Sequence, residues 1–250
     1  DGTRVPAWPA TGALVTNVAG TYGTPFPVSD GSGGAIVTWS DMGTGSGDVR
    51  AEHIDLLGSV MLGWPADGNV ICGASGLQNV RQPVSDGAGG AWIAWGDDRD
   101  AATTGRDIYL QRIDGQGAPV GGLPPGGIPV CAAAGDQSQP SLMADGGGGL
   151  AYVVWLDKRT DPSGDPYIQY LSPNATPMPG WATNGQPVSV AAGGEQMSLD
   201  PMVSDGSGGA IVVWSDARDS LSTARDVYAQ RFDYDGSVHT GWSSTGVALC

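Results

Sequence analysis

The sequence predicts an all-β fold, a β-propeller of about four four-stranded blades with a surplus terminal strand. Three observations predict it. One phrase recurs four times, from Pro27, Pro83, Pro140 and Pro201, and closes on Trp39, Trp95, Trp155 and Trp214, which stand 56, 60 and 59 residues apart. A period of that length marks a repeat architecture. Two further elements follow each phrase in fixed order. The composition is one of strands and turns: 42 Gly, 18 Pro and 9 Trp, with one lysine, Lys158, and Asp far outnumbering Glu.

The elements are justified in chain order. The recurring phrase opens with a short extended run, Pro27-Val28-Ser29 in its first copy, and then reads Asp-Gly-x-Gly-Gly, whose glycines supply the positive φ angles of a tight hairpin. Ala35–Trp39 follows, a nearly continuous apolar run of the kind a strand shows when both its faces are covered. The second element starts at Asp48, Asp107, Asp165 and Asp226; Asp226–Asp233 reads as a strand with Val227, Ala229 and Arg231 on one side and Tyr228, Gln230 and Phe232 on the other. The third element starts at Gly63, Gly121, Gly180 and Gly241 and ends at Cys72, Cys131, Ser189 and Cys250. A fifth copy of it opens the chain, from Asp1 through Trp8 and Gly12 to Thr16. The expected organisation is therefore one repeat domain, 1–250, with a partial terminal element at 1–20 and units at 21–76, 77–134, 135–193 and 194–250.

Composition also excludes. A net charge of -15 argues against nucleic acid, whose phosphates need clustered Lys and Arg. No stretch approaches the ~18 apolar residues of a membrane-spanning helix, so membrane insertion is not expected. The two histidines, His53 and His239, sit in different elements without metal-ligand spacing. No Ser-His-Asp arrangement, phosphate loop or paired catalytic carboxylates stand out, so no enzyme is expected.

The run W-x-D-x-R, then D-I/V-Y-x-Q-R-I/F-D, then G-W-x-x-x-G-V-x-x-C resembles a β-propeller-like repeat of about 57 residues common in large secreted bacterial surface proteins. That resemblance implies an extracellular or cell-surface location and carries little about activity. The first unit departs from the pattern, with Met42-Gly43 in place of the arginine and with Arg50 and His53; the third departs at Pro166 and Tyr170.

Three sets of residues invite chemistry. Asp30, Asp86, Asp145 and Asp205 sit in the turns, and Asp41, Asp97, Asp157 and Asp216 follow the tryptophans. Asp-Gly loops can hold Ca2+, the one ion this chain offers a place for, and otherwise no cofactor is expected. The competing reading has the turn aspartates cap their own backbone and the others pair with Arg99, Arg159 and Arg218. Asp97, Asp98, Asp100 and Asp107 form the densest acidic group. Trp8, Trp64, Trp181 and Trp242, in Gly-rich turn regions, are the candidate ligand-binding residues, since repeated aromatic platforms suit sugars. Packing staples or subunit contacts are the other readings of those four. Cys72, Cys131 and Cys250 alternate with Ser189 and Thr16, which suggests a small half-buried slot; Cys250 is the candidate for a link between molecules, and Asn174 heads a glycosylation sequon.

Two functions remain. The first is a structural, non-catalytic propeller that self-associates, exchanging its surplus terminal strand to build filaments or a surface layer. The alternative is a carbohydrate-binding or adhesive module, with glycans or cell-surface components as partners.

Overall fold

The structure, a computed structural model, describes residues 8–17, 19–43, 47–145, 151–191, 195–218 and 225–250, with the side chains of 195–200 left aside. Seventeen strands form four antiparallel sheets, in sequence order. The first blade holds β1 (Phe26–Ser29), β2 (Ala35–Asp41), β3 (Asp48–Ile54) and β4 (Asn69–Cys72). The second holds β5 (Gln78–Val80) and β6 (Val84–Ser85), two pieces of one interrupted strand that both pair with β7 (Ala91–Asp97), then β8 (Asp107–Ile113) and β9 (Ile128–Cys131). The third holds β10 (Gln137–Ala144), β11 (Ala151–Asp157), β12 (Asp165–Leu171) and β13 (Gln186–Pro187). The fourth holds β14 (Glu195–Ser204), β15 (Ala210–Asp216), β16 (Asp226–Phe232) and β17 (Val247–Ala248). This is the expected β-propeller of four blades.

The hairpin chemistry explains the repeated phrase. Gly31 and Gly33 hold φ of 78° and 93°, values that only glycine adopts freely. Asp30 Oδ1 accepts the amides of Ser32 and Gly34 at 2.7 and 2.9 Å, closing the turn from within. The last glycine of the phrase is required for another reason: a Cβ on Gly34, Gly90 or Gly209 would collide with the carbonyl of Ile54, Ile113 or Phe232.

Alternation along the second strand then builds the core. Ile36, Val49 and Ala51 of blade 1 pack against Ala91, Ile93, Trp95 and Tyr109 of blade 2. Trp92, Ala94 and Leu110 of blade 2 pack against Ala151, Val153 and Trp155 of blade 3. Tyr152, Val154 and Ile168 of blade 3 pack against Ala210, Val212 and Trp214 of blade 4. So one face of each blade meets the opposite face of the next. Trp95, Trp155 and Trp214 are inter-blade core, while Trp39 is buried on the outer face of blade 1 beside Tyr22. Among the described residues no core cluster joins blade 4 to blade 1, which departs from the closed four-bladed ring the repeat count suggested.

The surplus element is not a strand in the described residues. Residues 8–17 carry turns and bends, and 1–7 lie outside the described residues. The C-terminal copy supplies β17, the fourth strand of its own blade.

Candidate functional site

The acidic positions are used inside the fold. In blade 2, Asp97 is wholly buried and accepts the Trp95 indole N–H at 2.6 Å and the Arg99 amide, Nε and Nη2 at 2.9, 2.9 and 2.7 Å. Arg99 lies over the Tyr109 ring, 3.8 Å from its centroid. Its Nη2 reaches back to Cys72 Sγ of blade 1 at 3.0 Å, so one guanidinium clasps two blades. Asp157 and Arg159 repeat this against Cys131, and Asp216 and Arg218 repeat it against Ser189. Burial alone would raise the Asp216 carboxyl, but hydrogen bonds from Arg218 and Trp214 outweigh it and hold it below the ordinary carboxylate range.

The first unit solves the same problem differently. Met42-Gly43 leaves no arginine after Asp41, and Arg50, standing where the other blades carry tyrosine, pairs with Asp41 at 2.9 Å. The turn aspartates are also occupied. Asp30, Asp86, Asp145 and Asp205 bond His53, Arg112, Tyr170 and Arg231 respectively, at 2.8 to 3.1 Å. Among the described residues no three metal-ligating side chains gather, and the aspartates of the Asp-Gly turns act as caps and clasps.

The cysteines fill the slot the sequence suggested. Cys72 and Cys131 are buried and free, and burial pushes both thiols up, Cys131 to about 12. A thiolate is the reactive form; Cys250 alone is exposed. Titration of the native chain with a disulfide reagent is therefore expected to count one fast thiol, and three after denaturation. Three fast thiols in the native chain would contradict this clasp.

The four tryptophans expected to bind ligand are placed as follows. Trp64 and Trp181 are 7% and 6% exposed, and their indole N–H groups donate to Gly115 O and Tyr234 O of the next blade, both at 3.0 Å. They are inter-blade staples, and too little of either ring is open to stack on a sugar. Trp8 is half-buried and makes the same bond to Leu56 O of blade 1, at 3.0 Å. Trp242 is half-buried on blade 4. The structure does not bring these rings into one site.

What it does bring together is a polar cleft at the end of the blades that carries the β7–β8 and β9–β10 connections. Asp98, Ala101, Gly105, Arg106, Asp136, Ser138 and Lys158 line a space of about 320 Å³ between blades 2 and 3. Arg106 grips Asp98 with both forks, at 2.7 and 2.8 Å, and its amide donates to Asp136 Oδ1 at 3.1 Å. A smaller space of about 30 Å³ adjoins it, lined by Asn79, Arg81, Gln139, Arg106 and Ser138. The first strands break here, between β5 and β6 and between Ser138 and Ser141. The prolines at 83 and 140 cannot donate to the ladder. Gln139 sits in the break at φ 56°, a conformation that costs a non-glycine residue energy and that clusters at binding sites. First strands of successive blades lie against one another, so this break opens at the propeller axis.

A second cleft of about 370 Å³, lined by Thr160, Asp161, Asp165, Tyr167, Pro187 and Ser189, lies at the same end of blade 3. Its charged lining is acidic only, whereas the blade 2–3 cleft offers fixed donors and acceptors together. Sequence reasoning flagged Asp98 within its acidic group and missed Arg106, Asp136 and Gln139. The available signals were the lone lysine and Asp98, which stands where unit four carries Ala217 in a loop of equal length.

Neither a family model nor a curated protein sequence matches the chain. Solved structures do. A protein of unknown function from Dyadobacter fermentans is 12% identical, with a TM-score of 0.53, over 94% of this chain and 70% of that one. The α-L-arabinanase of Penicillium chrysogenum, complexed with arabinobiose, is 15% identical, with a TM-score of 0.50, over 90% of this chain and 75% of that one. A subtype N10 neuraminidase-like protein of A/little yellow-shouldered bat is 10% identical, with a TM-score of 0.49; this chain spans 58% of its length. The first two likenesses support the propeller fold. The expectation of a structural, self-assembling propeller is corrected: the fold is shared with an arabinanase. The element on which strand exchange rested docks in cis through Trp8, beside sheets that already hold their fourth strands. The expectation of a non-enzyme loses its footing on the same finding, since this fold also serves enzymes.

Proposed function

We propose that the chain is a carbohydrate-binding propeller whose site is the cleft between blades 2 and 3. The observation that carries it is the Arg106 constellation: a guanidinium fixed by Asp98, with Asp136, Ser138, Gln139 and Lys158 around it, at the axis end of a β-propeller. Sugars present hydroxyls that donate and accept, and a binding site needs a few convergent polar groups that do not move. Here the bidentate pair supplies that rigidity. The residues lining the cleft include no aromatic ring, so recognition runs through hydrogen bonds rather than stacking. The arabinanase likeness supports a glycan as the ligand class, and arabino-oligosaccharides are the first ligands to try.

A glycan array run at neutral pH tests this reading. Saturable binding to one glycan class, lost in Arg106→Ala, is the expected result. The Arg106–Asp98 pair is partly exposed, so its loss costs the fold only about 0–1 kcal/mol and a missing signal reports binding. A blank array for the wild-type chain would overturn the proposal. Release of reducing sugar from a bound glycan would show that the same cleft also cleaves its ligand.

A further inference from the structure

Among the described residues no blade covers the two outer faces of the stack, which are apolar and only partly buried. In blades 2 and 3 the face turned to the next blade is closed: Trp92, Ala94, Ile108 and Leu110 are at most 1% exposed, and Tyr152, Val154 and Ile168 are at 0%. On blade 4 the same register positions hold Ile211, Val213 and Val227, all half-buried, and Ala229 at 3%, flanked by Val203 at 57% and Val247 at 37% exposure. Blade 1 shows the complementary defect. Ala35 and Val37 are half-buried, beside Trp39 and Ile54 at 3%, while their counterparts Ala91, Ile93, Ala151, Val153, Ala210 and Val212 are at 0%. Water touches at both ends of the stack what every internal junction excludes.

The segment 8–17 points to what belongs there. Trp64 of blade 1 staples to the second residue of the blade 2 turn, and Trp181 of blade 3 to the same position in blade 4. Trp8 staples to that position, Leu56, in blade 1. Its segment therefore sits where the fourth-strand element of a neighbouring blade would sit, on the unsealed side of blade 1. Trp242, the equivalent ring on blade 4, is half-buried.

We propose that these two faces are the walls of a slot for one further unit of this same repeat, three strands wide and completed at its rim by residues 8–17. The occupant's chemistry follows from the three junctions already made. It presents an Ala-x-apolar-x-Trp face to Ile211, Val213 and Val227, and an alternating apolar face to Ala35 and Val37.

The test adds the unit. A Cys250→Ser background carrying Val213→Cys or Val37→Cys reports each wall through its rate of thiol labelling. The chain is compared with two extended forms that append residues 73–113 or 132–171, the inner strands of blades 2 and 3, and with a scrambled extension of equal length. At least one native extension is expected to slow labelling of both thiols tenfold or more, and the scrambled one to leave them fast. Fast labelling in both native extensions would overturn the proposal. So would an unextended chain that runs as a dimer on light scattering with both thiols already protected, because the faces would then belong to a second copy.

Discussion

Asp97→Ala is expected to destabilise the protein by about 3–5 kcal/mol, the cost of leaving a buried charge network without its centre. Four donors converge on this carboxylate: the Trp95 indole and the Arg99 amide, Nε and Nη2. Removal strands the indole N–H in a wholly buried ring and frees a guanidinium that otherwise clasps Cys72 of blade 1. The effect should therefore appear as a lost blade 1–blade 2 junction, read as a lowered denaturant midpoint. Asp41→Ala is the internal control. Among the described residues the Trp39 indole N–H lacks a hydrogen-bond partner, and Asp41 accepts the Gly43 amide and forms an ion pair with Arg50. Equal losses from the two substitutions would show that the Trp-Asp-Arg clasp is not what holds the blades together.

Glu52→Gln is expected to stabilise the chain by about 1–3 kcal/mol at neutral pH, the cost of a buried polar atom left unsatisfied. The argument comes from the repeat itself. Gln111, Gln169 and Gln230 occupy the register position of Glu52 in the other blades, and all four are 0–1% exposed. Each glutamine accepts the following amide through Oε1 and donates Nε2 to a carbonyl of the Gly-Trp element, at 2.6 to 2.8 Å. Glu52 makes the first bond, accepting the His53 amide, but among the described residues its Oε2 accepts no hydrogen bond, since the nearby Gly68 amide donates to Pro65 O instead. Burial, with Asp67 nearby, pushes this carboxyl up against the weaker pull of the His53 and Gly68 amides and the His53 ring. The folded state thus binds the proton more tightly than the unfolded one. Its contribution is fully present below the ordinary glutamate range of about 4.3 and declines as pH rises toward the folded value. Chemical denaturation at several pH values should show that decline in the wild type and a shallower one in Glu52→Gln. A variant no more stable than wild type at pH 7 would remove this account.

The parts of the fold that were legible in the sequence are those that chemistry forces on a local segment. Asp-Gly-x-Gly-Gly can close a hairpin from within, so Asp30 and its counterparts read correctly as caps. An apolar run ending in tryptophan fits a strand covered on both faces, so Trp95 and Trp155 read correctly as core. Partners distant in the chain were not legible. Nothing in Gly63-Trp64-Pro65 says that the ring is covered by a turn about fifty residues on, and Trp64 and Trp181 were offered as sugar platforms for that reason. The cleft was hidden in the same way. Asp98 and Arg106 come from a loop that matches blade 4's in length but carries Asp98 where that one has Ala217, Asp136 comes from a connection and Gln139 from a strand break. Only the blade 2–blade 3 junction sets them side by side. The first unit shows the limit from the other side: losing the arginine after Asp41 looked like the loss of a site, whereas Arg50 restores the ion pair from the facing strand.

The central claim is that the Arg106 cleft holds a glycan. Calorimetric titration of the best array ligand, or of arabino-oligosaccharides first, into the wild type, Arg106→Ala and Arg231→Ala tests it most directly. Arg231 makes a comparable ion pair, with Asp205, at the opposite end of the blades. The account predicts wild-type affinity for Arg231→Ala and at least a tenfold loss for Arg106→Ala. Equal affinity in Arg106→Ala and the wild type would contradict it and place any glycan elsewhere on the propeller.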